Sequence, residues 1–297
     1  MRENVRAILA MTASMLCFTA GDAFVKIVGR DLPVSQIMFV RGAFASCLVL
    51  GVCAWMGAFT QWRRLLTPLM AWRTVGEICA TLFFFTGLMR LSFTDAAAIG
   101  QVAPLAVTAG AAVFLSEPVG WRRWTATAIG FVGVLLIIRP GTSAFNPAAL
   151  LIVMAVAAVA LRDLVTRQIG STLPILLITA AAAVSVTLAG LLFSLVETWR
   201  VPTPTLLACL AAAATTVLGG YVFTILATRA GDVSVVSPFR YTSAVFGVGI
   251  GVLAFGEHPD GLTLLGLGIV IAAGMYTFMR EAKRRRDAAP INGSPPS

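Results

Sequence analysis

The sequence predicts an all-α polytopic membrane protein, with ten transmembrane helices forming two inverted five-helix repeats. Three observations lead there. Apolar residues are 58% of the chain and charged residues 12%, where a soluble domain carries about 25% charged residues. The apolar residues fall in long runs, and about 20 such residues cross a bilayer as a helix. No ten-residue alternation of the membrane β-barrel kind is present. One stretch is also spelled twice. Asp22, Lys26, Gly29 and Leu32-Pro33 return as Asp163, Arg167, Gly170 and Leu173-Pro174, each position shifted by 141. A constant shift marks an internal repeat.

Taken in order, the apolar runs predict spans at 5–28, 34–56, 69–90, 95–115, 121–138, 147–168, 173–196, 204–228, 233–255 and 261–280. The first run is long, lacks a small-x-small cleavage site and is part of the repeated stretch, so it reads as a span and not as a cleaved signal peptide. Gly29 and Gly170 suit helix C-caps. Pro33 and Pro174 suit the first turn of the next helix. The joints are short and charged, which makes consecutive helices antiparallel neighbours. The expected organisation is a first repeat over 1–142, a second over 143–280 and a disordered basic tail over 281–297. Cys17, Cys47, Cys53, Cys79 and Cys209 all sit inside apolar runs and read as small packing residues.

Lysine and arginine set the orientation. With the N-terminus cytoplasmic, fifteen of these residues fall on the inner side and five on the outer. Both termini are therefore expected in the cytoplasm of a bacterial-type inner (plasma) membrane. Five spans per repeat is an odd number, so the second copy enters the membrane upside down, as in secondary transporters. Further echoes agree with this. Leu115-Ser116-Glu117-Pro118 closes the fourth span as Phe255-Gly256-Glu257-His258-Pro259 closes the ninth, and Gly130 and Gly133 correspond to Gly266 and Gly274.

A charge at the bilayer centre costs at least about 2.5–3.5 kcal/mol on insertion scales, so each one needs a partner, a cavity or a task. Asp22 with Lys26, and Asp163 with Arg167, stand at i,i+4. Each couple reads either as a local ion pair or as a gate, one at each mouth of a shared cavity. Arg41 reads as a snorkelling side chain. Glu77 follows Arg73 by four residues; it either pairs there or, in a proton-linked carrier, moves the proton. Arg240 carries the strongest single signal, two residues after Pro238 within a span, where a broken helix lines a cavity. Its planar guanidinium suits a carboxylate, phosphate or carbonyl-rich ring. Phe239 and Tyr241 beside it can stack on a flat ligand. Gln101, three residues before Pro104, occupies the corresponding place in the first repeat, and Tyr221 is a further polar residue at depth. The expected substrate contacts are thus Arg240, Tyr241, Phe239, Gln101 and Tyr221. Asp22, Lys26, Glu77, Asp163 and Arg167 are expected to gate or couple, and Pro104 and Pro238 to break helices.

The ten spans, the Glu-Pro joints after spans four and nine, the stretch Leu32-Pro33 to Arg41-Gly42, Ser237-Pro238-Phe239-Arg240-Tyr241 and Phe255 to Asp260 resemble the EamA branch of the drug/metabolite transporter superfamily over about residues 5–280. The resemblance implies a central cavity lined mainly by spans 1, 3, 4, 6, 8 and 9. It also implies a small-molecule substrate; similar proteins carry riboflavin, S-adenosylmethionine, amino acids or metallophores. A secondary transporter of a small polar or aromatic metabolite is the expected function, with riboflavin or a similar vitamin first and amino acids or S-adenosylmethionine next. A membrane-embedded lipid-modifying enzyme is the alternative of another class, but the sequence offers no cluster of catalytic acids or histidines at one interface. No cofactor or metal is expected, since no Cys/His/carboxylate cluster has ligand spacing and no nucleotide-binding glycine motif occurs. The basic run Arg280–Arg286 abuts a span, which favours the lipid surface over nucleic acid. No obligate protein partner is evident, consistent with a monomer or weak homodimer.

The lysine and arginine asymmetry gives a direct test. A C-terminal green fluorescent fusion should be bright and a C-terminal alkaline phosphatase fusion inactive; the reverse pair would sink the orientation.

Overall fold

The computed structural model describes residues 2–117, 120–170, 173–230 and 233–288. Every regular element among them is helical: α1 (Arg2–Val28), α2 (Val34–Trp55), α3 (Pro68–Arg90), α4 (Phe93–Gly100), α5 (Ala103–Phe114), α6 (Trp121–Ile138), α7 (Ala148–Ile169), α8 (Ile175–Phe193), α9 (Pro204–Ala230), α10 (Val233–Val236), α11 (Thr242–Phe255) and α12 (Gly261–Ala288). A 3-10 turn follows α2 at Ala58–Leu65, and another joins α10 to α11 at Ser237–Tyr241.

Nine helical stretches among the described residues are long and apolar enough to span a membrane, and α4 with α5 counts as one of them. The segment α3 is not in this set; it carries Arg73 and Glu77 within its length. The expected spans thus correspond to helices, with ends shifted by a few residues. The backbone of α12 runs beyond the expected span through the basic segment to Ala288, and 289–297 lie outside the described residues, as does Pro118 of the first Glu-Pro joint.

Local chemistry places the ends. Thr67 accepts a hydrogen bond from the Met70 N–H at 3.3 Å and Pro68 opens the first turn of α3, because the first N–H groups of a helix have no partner within it. Ser92 caps α4 in the same way through the Asp95 N–H, at 2.9 Å. Pro33 and Pro174 sit as N-caps in front of α2 and α8. Gly170 takes a left-handed φ of 65° and ends α7, as its place in the repeat predicts, whereas Gly29 is not among the left-handed glycines. The two prolines expected to break helices stand at interruptions. Pro104 lies in the first turn of α5, just after the Gln101–Val102 break, and Pro238 lies in the 3-10 turn before α11. Each lacks the N–H that would continue the ladder.

Packing runs across the middle of the chain. The main partner of α1 is α9, of α2 is α8, of α3 is α7 and of α6 is α12, while α4 packs on α11. The main core cluster accordingly draws on both halves, from Val25 and Phe93 to Leu210 and Val270. Small residues permit the closest approach, as expected where lipid offers no hydrophobic drive. A Cβ on Gly133 would come within 2.8 Å of the Gly266 carbonyl oxygen, and one on Gly266 within 2.5 Å of the Gly133 carbonyl oxygen.

This contact is measurable. Gly266→Val forces two backbones apart, and overpacking of this kind costs about 1–3 kcal/mol. The detergent-solubilised variant should melt at a clearly lower temperature. Gly268→Ala, two residues away with open space around it, should melt at the parent temperature or slightly above it.

Candidate functional site

Two cavities lie within the bundle, and an aromatic pair stands between them. The first, about 130 Å³, is walled by α2, α3, α8 and α9 and lined by Arg41, Glu77, Thr81, Thr179 and Tyr221 among smaller apolar residues. The second, about 210 Å³, is walled by α1, α3, α4 and α11 and lined by Phe18, Thr19, Asp22, Phe84, Gln101 and Ser243 among others. Phe18 of the second meets Tyr221 of the first edge-on, with centroids 5.3 Å apart. Spans two and seven, as α2 and α8, therefore contribute walls that the family resemblance did not stress. The sixth span, α7, lines neither cavity and packs behind α3.

Asp22 and Arg41 face these cavities from opposite sides of the aromatic pair. Their opposite charges attract, but no ion pair joins them, and no hydrogen bond holds the Asp22 carboxylate among the described residues. The Arg41 guanidinium lies 5.1 Å from the Phe85 ring centroid, and its buried Nε has no hydrogen-bond partner. Arg41 thus lines a cavity and does not snorkel outward. The sequence under-read it because helix position alone cannot say which face a long side chain takes. One signal for a cavity role was available: Asp22 lies on the neighbouring span at comparable depth.

Glu77 has a different environment. Its Oε1 lies 3.3 Å from Arg162 Nη1 and its Oε2 3.4 Å from Arg73 Nη2. Arg162 also pairs with Asp163, with Nε to Oδ1 at 2.9 Å, and Arg73 Nε donates to Thr166 Oγ1 at 3.2 Å. This network fastens α3 to α7. Glu77 does pair with Arg73, one of its two expected roles, and Arg162 adds a second cation from α7.

Neither expected i,i+4 couple forms among the described ion pairs. Lys26 turns from Asp22 and donates to the Leu91 carbonyl at 2.6 Å and to Glu257 Oε1 at 3.3 Å. Its ammonium also lies 5.3 Å from the Phe255 ring centroid. Arg167 turns from Asp163 and reaches Glu117 Oε1 at 3.5 Å. The reason is competition. For Lys26 a largely buried partner from the other half outweighs an i,i+4 pair worth a few tenths of a kcal/mol, and the Arg162 guanidinium already occupies Asp163, which leaves Arg167 to Glu117.

These two pairs occupy opposite ends of the bundle and share a design. Gly256, with φ 64°, turns the chain after α11 so that the Glu257 N–H donates to the Gly251 carbonyl at 2.9 Å. Ser116, with φ 52°, does the same after α5, and the Glu117 N–H donates to the Ala111 carbonyl at 3.2 Å. Each turn aims its carboxylate at the base ending α1 or α7. Glu257 additionally accepts from the backbone N–H groups of Phe93 and Thr94, the latter at 2.9 Å, and so caps the start of α4. The Lys26 and Glu257 side chains are 13% and 15% exposed, against 49% and 43% for Arg167 and Glu117, so the first latch is sealed and the second is open to solvent.

Arg240 lines neither cavity. It is exposed, and its carbonyl accepts from the Ser243 hydroxyl at 2.8 Å. Tyr241 is 4% exposed and packs on α12, with its ring 6.1 Å from that of Phe278. Phe239 packs against a small cluster around Met11, Met15 and Val236. The expected grouping of Arg240, Tyr241 and Gln101 about one pocket is therefore not found. Gln101 does line the second cavity, but its partner across the break is Ser243, with Nε2 to Oγ at 2.9 Å. Ser243 lies one helical turn beyond Arg240. The 3-10 turn after Pro238 explains the displacement, since its three-residue period rotates Arg240 away from the face that an α-helix would present. Glu77 pairs with Arg162 and Arg73, and Arg240 takes no part.

Comparisons with known proteins fit this architecture. The sequence profile of the EamA-like transporter family matches twice, over residues 5–139 and 146–279. An S-adenosylmethionine uptake transporter of Rickettsia bellii is 27% identical over 91% of this chain and 92% of its own. A riboflavin transporter of Vibrio cholerae is 27% identical over 93% and 96%, and the pseudopaline exporter CntI of Pseudomonas aeruginosa is 26% identical over 93% and 96%. A crystal structure of another protein superposes with a TM-score of 0.64 at 17% identity, covering 94% of this chain and 98% of that one; this likeness concerns the fold.

The sealed latch has a pH signature. Burial alone would push the Glu257 carboxyl up, but the N–H groups of Thr94 and Phe93, the Thr94 side chain and the Lys26 charge outweigh it and hold the carboxyl below its usual range. Asp260 nearby is held at about 2 by its hydrogen bonds from Arg139 and the Thr263 N–H. A depressed carboxyl contributes stability fully above its unfolded pKa, about 4.3 for glutamate, and loses it as pH falls through the folded value. Glu257→Gln should therefore lower the melting temperature at pH 7, and the gap from the parent should narrow below about pH 4. A gap unchanged by acid would contradict the ionised cap.

Proposed function

The chain belongs to the EamA-like transporter family, and from that premise we propose a secondary transporter that carries a small, flat, zwitterionic metabolite across the inner membrane by alternating access. The observation that carries this reading is the unpaired couple Asp22 and Arg41, facing cavities on either side of Phe18 and Tyr221. Two opposite charges left without direct partners inside an apolar bundle are costly unless water or a ligand meets them. A carboxylate of the substrate would meet Arg41 and a cationic head would meet Asp22, while a ring would lie against Phe18 or Tyr221.

Alternating access needs two gates, and the two latches supply them. The reading takes the halves as inverted copies, which an odd number of spans per half requires. Glu257 with Lys26 is then the outer gate, and Glu117 with Arg167 the inner. Their unequal exposure is what a carrier closed outside and relaxed inside would have. The network of Glu77, Arg73, Arg162 and Asp163 holds α3 on α7 in this state. Asp22 replaces Glu77 as the group to carry a proton if transport is proton-linked, because Glu77 is engaged by two arginines between α3 and α7 while Asp22 faces a cavity.

Among the substrates named for the relatives, S-adenosylmethionine has the required zwitterionic head, cationic centre and flat ring. Riboflavin is the second reading, favoured by the aromatic residues Phe18, Phe84 and Tyr221 that face the cavities; it would leave Asp22 and Arg41 to water.

Uptake of labelled S-adenosylmethionine and riboflavin into proteoliposomes separates these readings. With the zwitterion, Asp22→Asn and Arg41→Lys should fold normally and each raise KM about ten- to hundredfold, the worth of one charge-assisted hydrogen bond. Arg240→Lys should transport like the parent. Riboflavin uptake that survives both cavity substitutions would replace the first reading by the second, and transport abolished by Arg240→Lys would return the site to the 3-10 turn.

A further inference from the structure

Away from both cavities, a groove runs along the outside of the bundle between α6 and α12. Thr125, Ala126 and Ile129 form one wall, and Ile269, Ala272 and Tyr276 the other; its volume is about 430 Å³, within the roughly 300–1,000 Å³ usual for ligand sites. Small residues at Ala126 and Ala272 leave it open, and Ile129 and Tyr276 are 55% and 43% exposed. At the end where α6 begins, the groove opens into a second basin of about 380 Å³ lined by Gly120, Trp121, Arg122, Arg123 and Arg280. Trp121 and Arg122 belong to both.

The chemistry changes sharply along this path, from apolar to cationic. The basin has three guanidinium groups in its lining and no carboxylate. Neither Arg122 nor Arg280 has an ion-pair partner among the described residues. Arg122 instead lies 5.4 Å from the ring centroid of Trp121, which is 70% exposed. Tryptophan beside arginine at a helix end is the arrangement that sits at headgroup depth.

An apolar trough of lipid-facing depth that ends at the Arg122 and Arg280 guanidiniums matches one kind of molecule. We propose that the α6–α12 groove binds one anionic phospholipid, with an acyl chain between Ile129 and Tyr276 and the phosphate on Arg122 and Arg280. A zwitterionic phospholipid would bring a second cation into a basin with no acid among its described lining residues. Guanidinium forks suit phosphate oxygens, and basic residues at a membrane surface attract anionic lipid in particular. The site also bears on the fold, because it bridges the last helix of each half along the seam that holds their Gly133 and Gly266 contact, where a Cβ on Gly133 would stand 3.1 Å from Ile269 of the groove wall.

Native mass spectrometry of the purified full chain tests this, with phosphatidylglycerol, phosphatidylcholine of the same chains, and glycerol phosphate as probes. Phosphatidylglycerol should be retained about tenfold more strongly than phosphatidylcholine, and Arg122→Gln with Arg280→Gln should remove most of that preference. The Arg122→Lys, Arg280→Lys variant should keep part of it, which separates loss of charge from loss of fold. Ala272→Trp, filling the groove from an exposed position, should weaken phosphatidylglycerol retention while the melting temperature without lipid stays near the parent's. Equal retention of the two lipids, or full displacement of phosphatidylglycerol by glycerol phosphate, would overturn the proposal. So would a dimer mass that the glutamine variant converts to monomer without change in lipid adducts, since a second chain would then occupy the groove.

Discussion

An ionised side chain between apolar helices must find its counterpart within the protein, and here the counterpart repeatedly comes from the other half of the chain. Lys26 meets Glu257, Glu77 meets Arg162, Arg139 meets Asp260, and Glu117 meets Arg167. Neutral polar contacts follow the same rule. Ser14 bonds Thr224 at 2.6 Å, Ser46 bonds Thr187 at 3.1 Å, and Gln101 bonds Ser243 at 2.9 Å. Lipid gives little help in bringing two apolar surfaces together. Close glycine contacts supply dispersion, and these reciprocal polar contacts supply register.

This arrangement explains what the sequence could and could not tell. Hydropathy reports the length of each helix, so each expected span falls on helix, and nine of them are long and apolar enough to cross a membrane among the described residues, while α12 runs on to Ala288. Prolines report a missing donor, so the interruptions at Pro104 and Pro238 were legible as well. The spacing of Asp22 and Lys26 made a local pair look natural, but a partner 231 residues away takes the lysine. Pairing between halves has no local signature. Its one trace was the echo of Glu117 and Glu257, which was visible as a family marker but not as the acid that each base would meet.

Arg240 and Arg41 failed in opposite directions for one reason. A charge in a span announces that something unusual happens there, but the backbone between it and the nearest break decides where it points. The 3-10 turn at Ser237–Tyr241 leaves Arg240 exposed and hands the cavity position to Ser243. Regular α-helix around Arg41 keeps it facing Glu77 and Tyr221, over the Phe85 ring. An arginine that looked anchored at the surface is thus the one inside.

The two latch turns differ, among other things, at the residue that takes the left-handed conformation. Glycine at 256 enters the left-handed region freely, whereas Ser116 holds a φ of 52° with a side chain attached, a conformation that costs an L-residue about 1–2 kcal/mol. The two turns therefore do not hold their carboxylates with equal firmness, and the backbone bonds that Glu257 alone receives from Phe93 and Thr94 widen the gap. On the alternating-access reading proposed above, the Glu117 end would then start nearer to letting go. In that reading a single hydroxymethyl group at 116 contributes to a preferred resting side, and exchange at that position would reset it without touching a cavity residue.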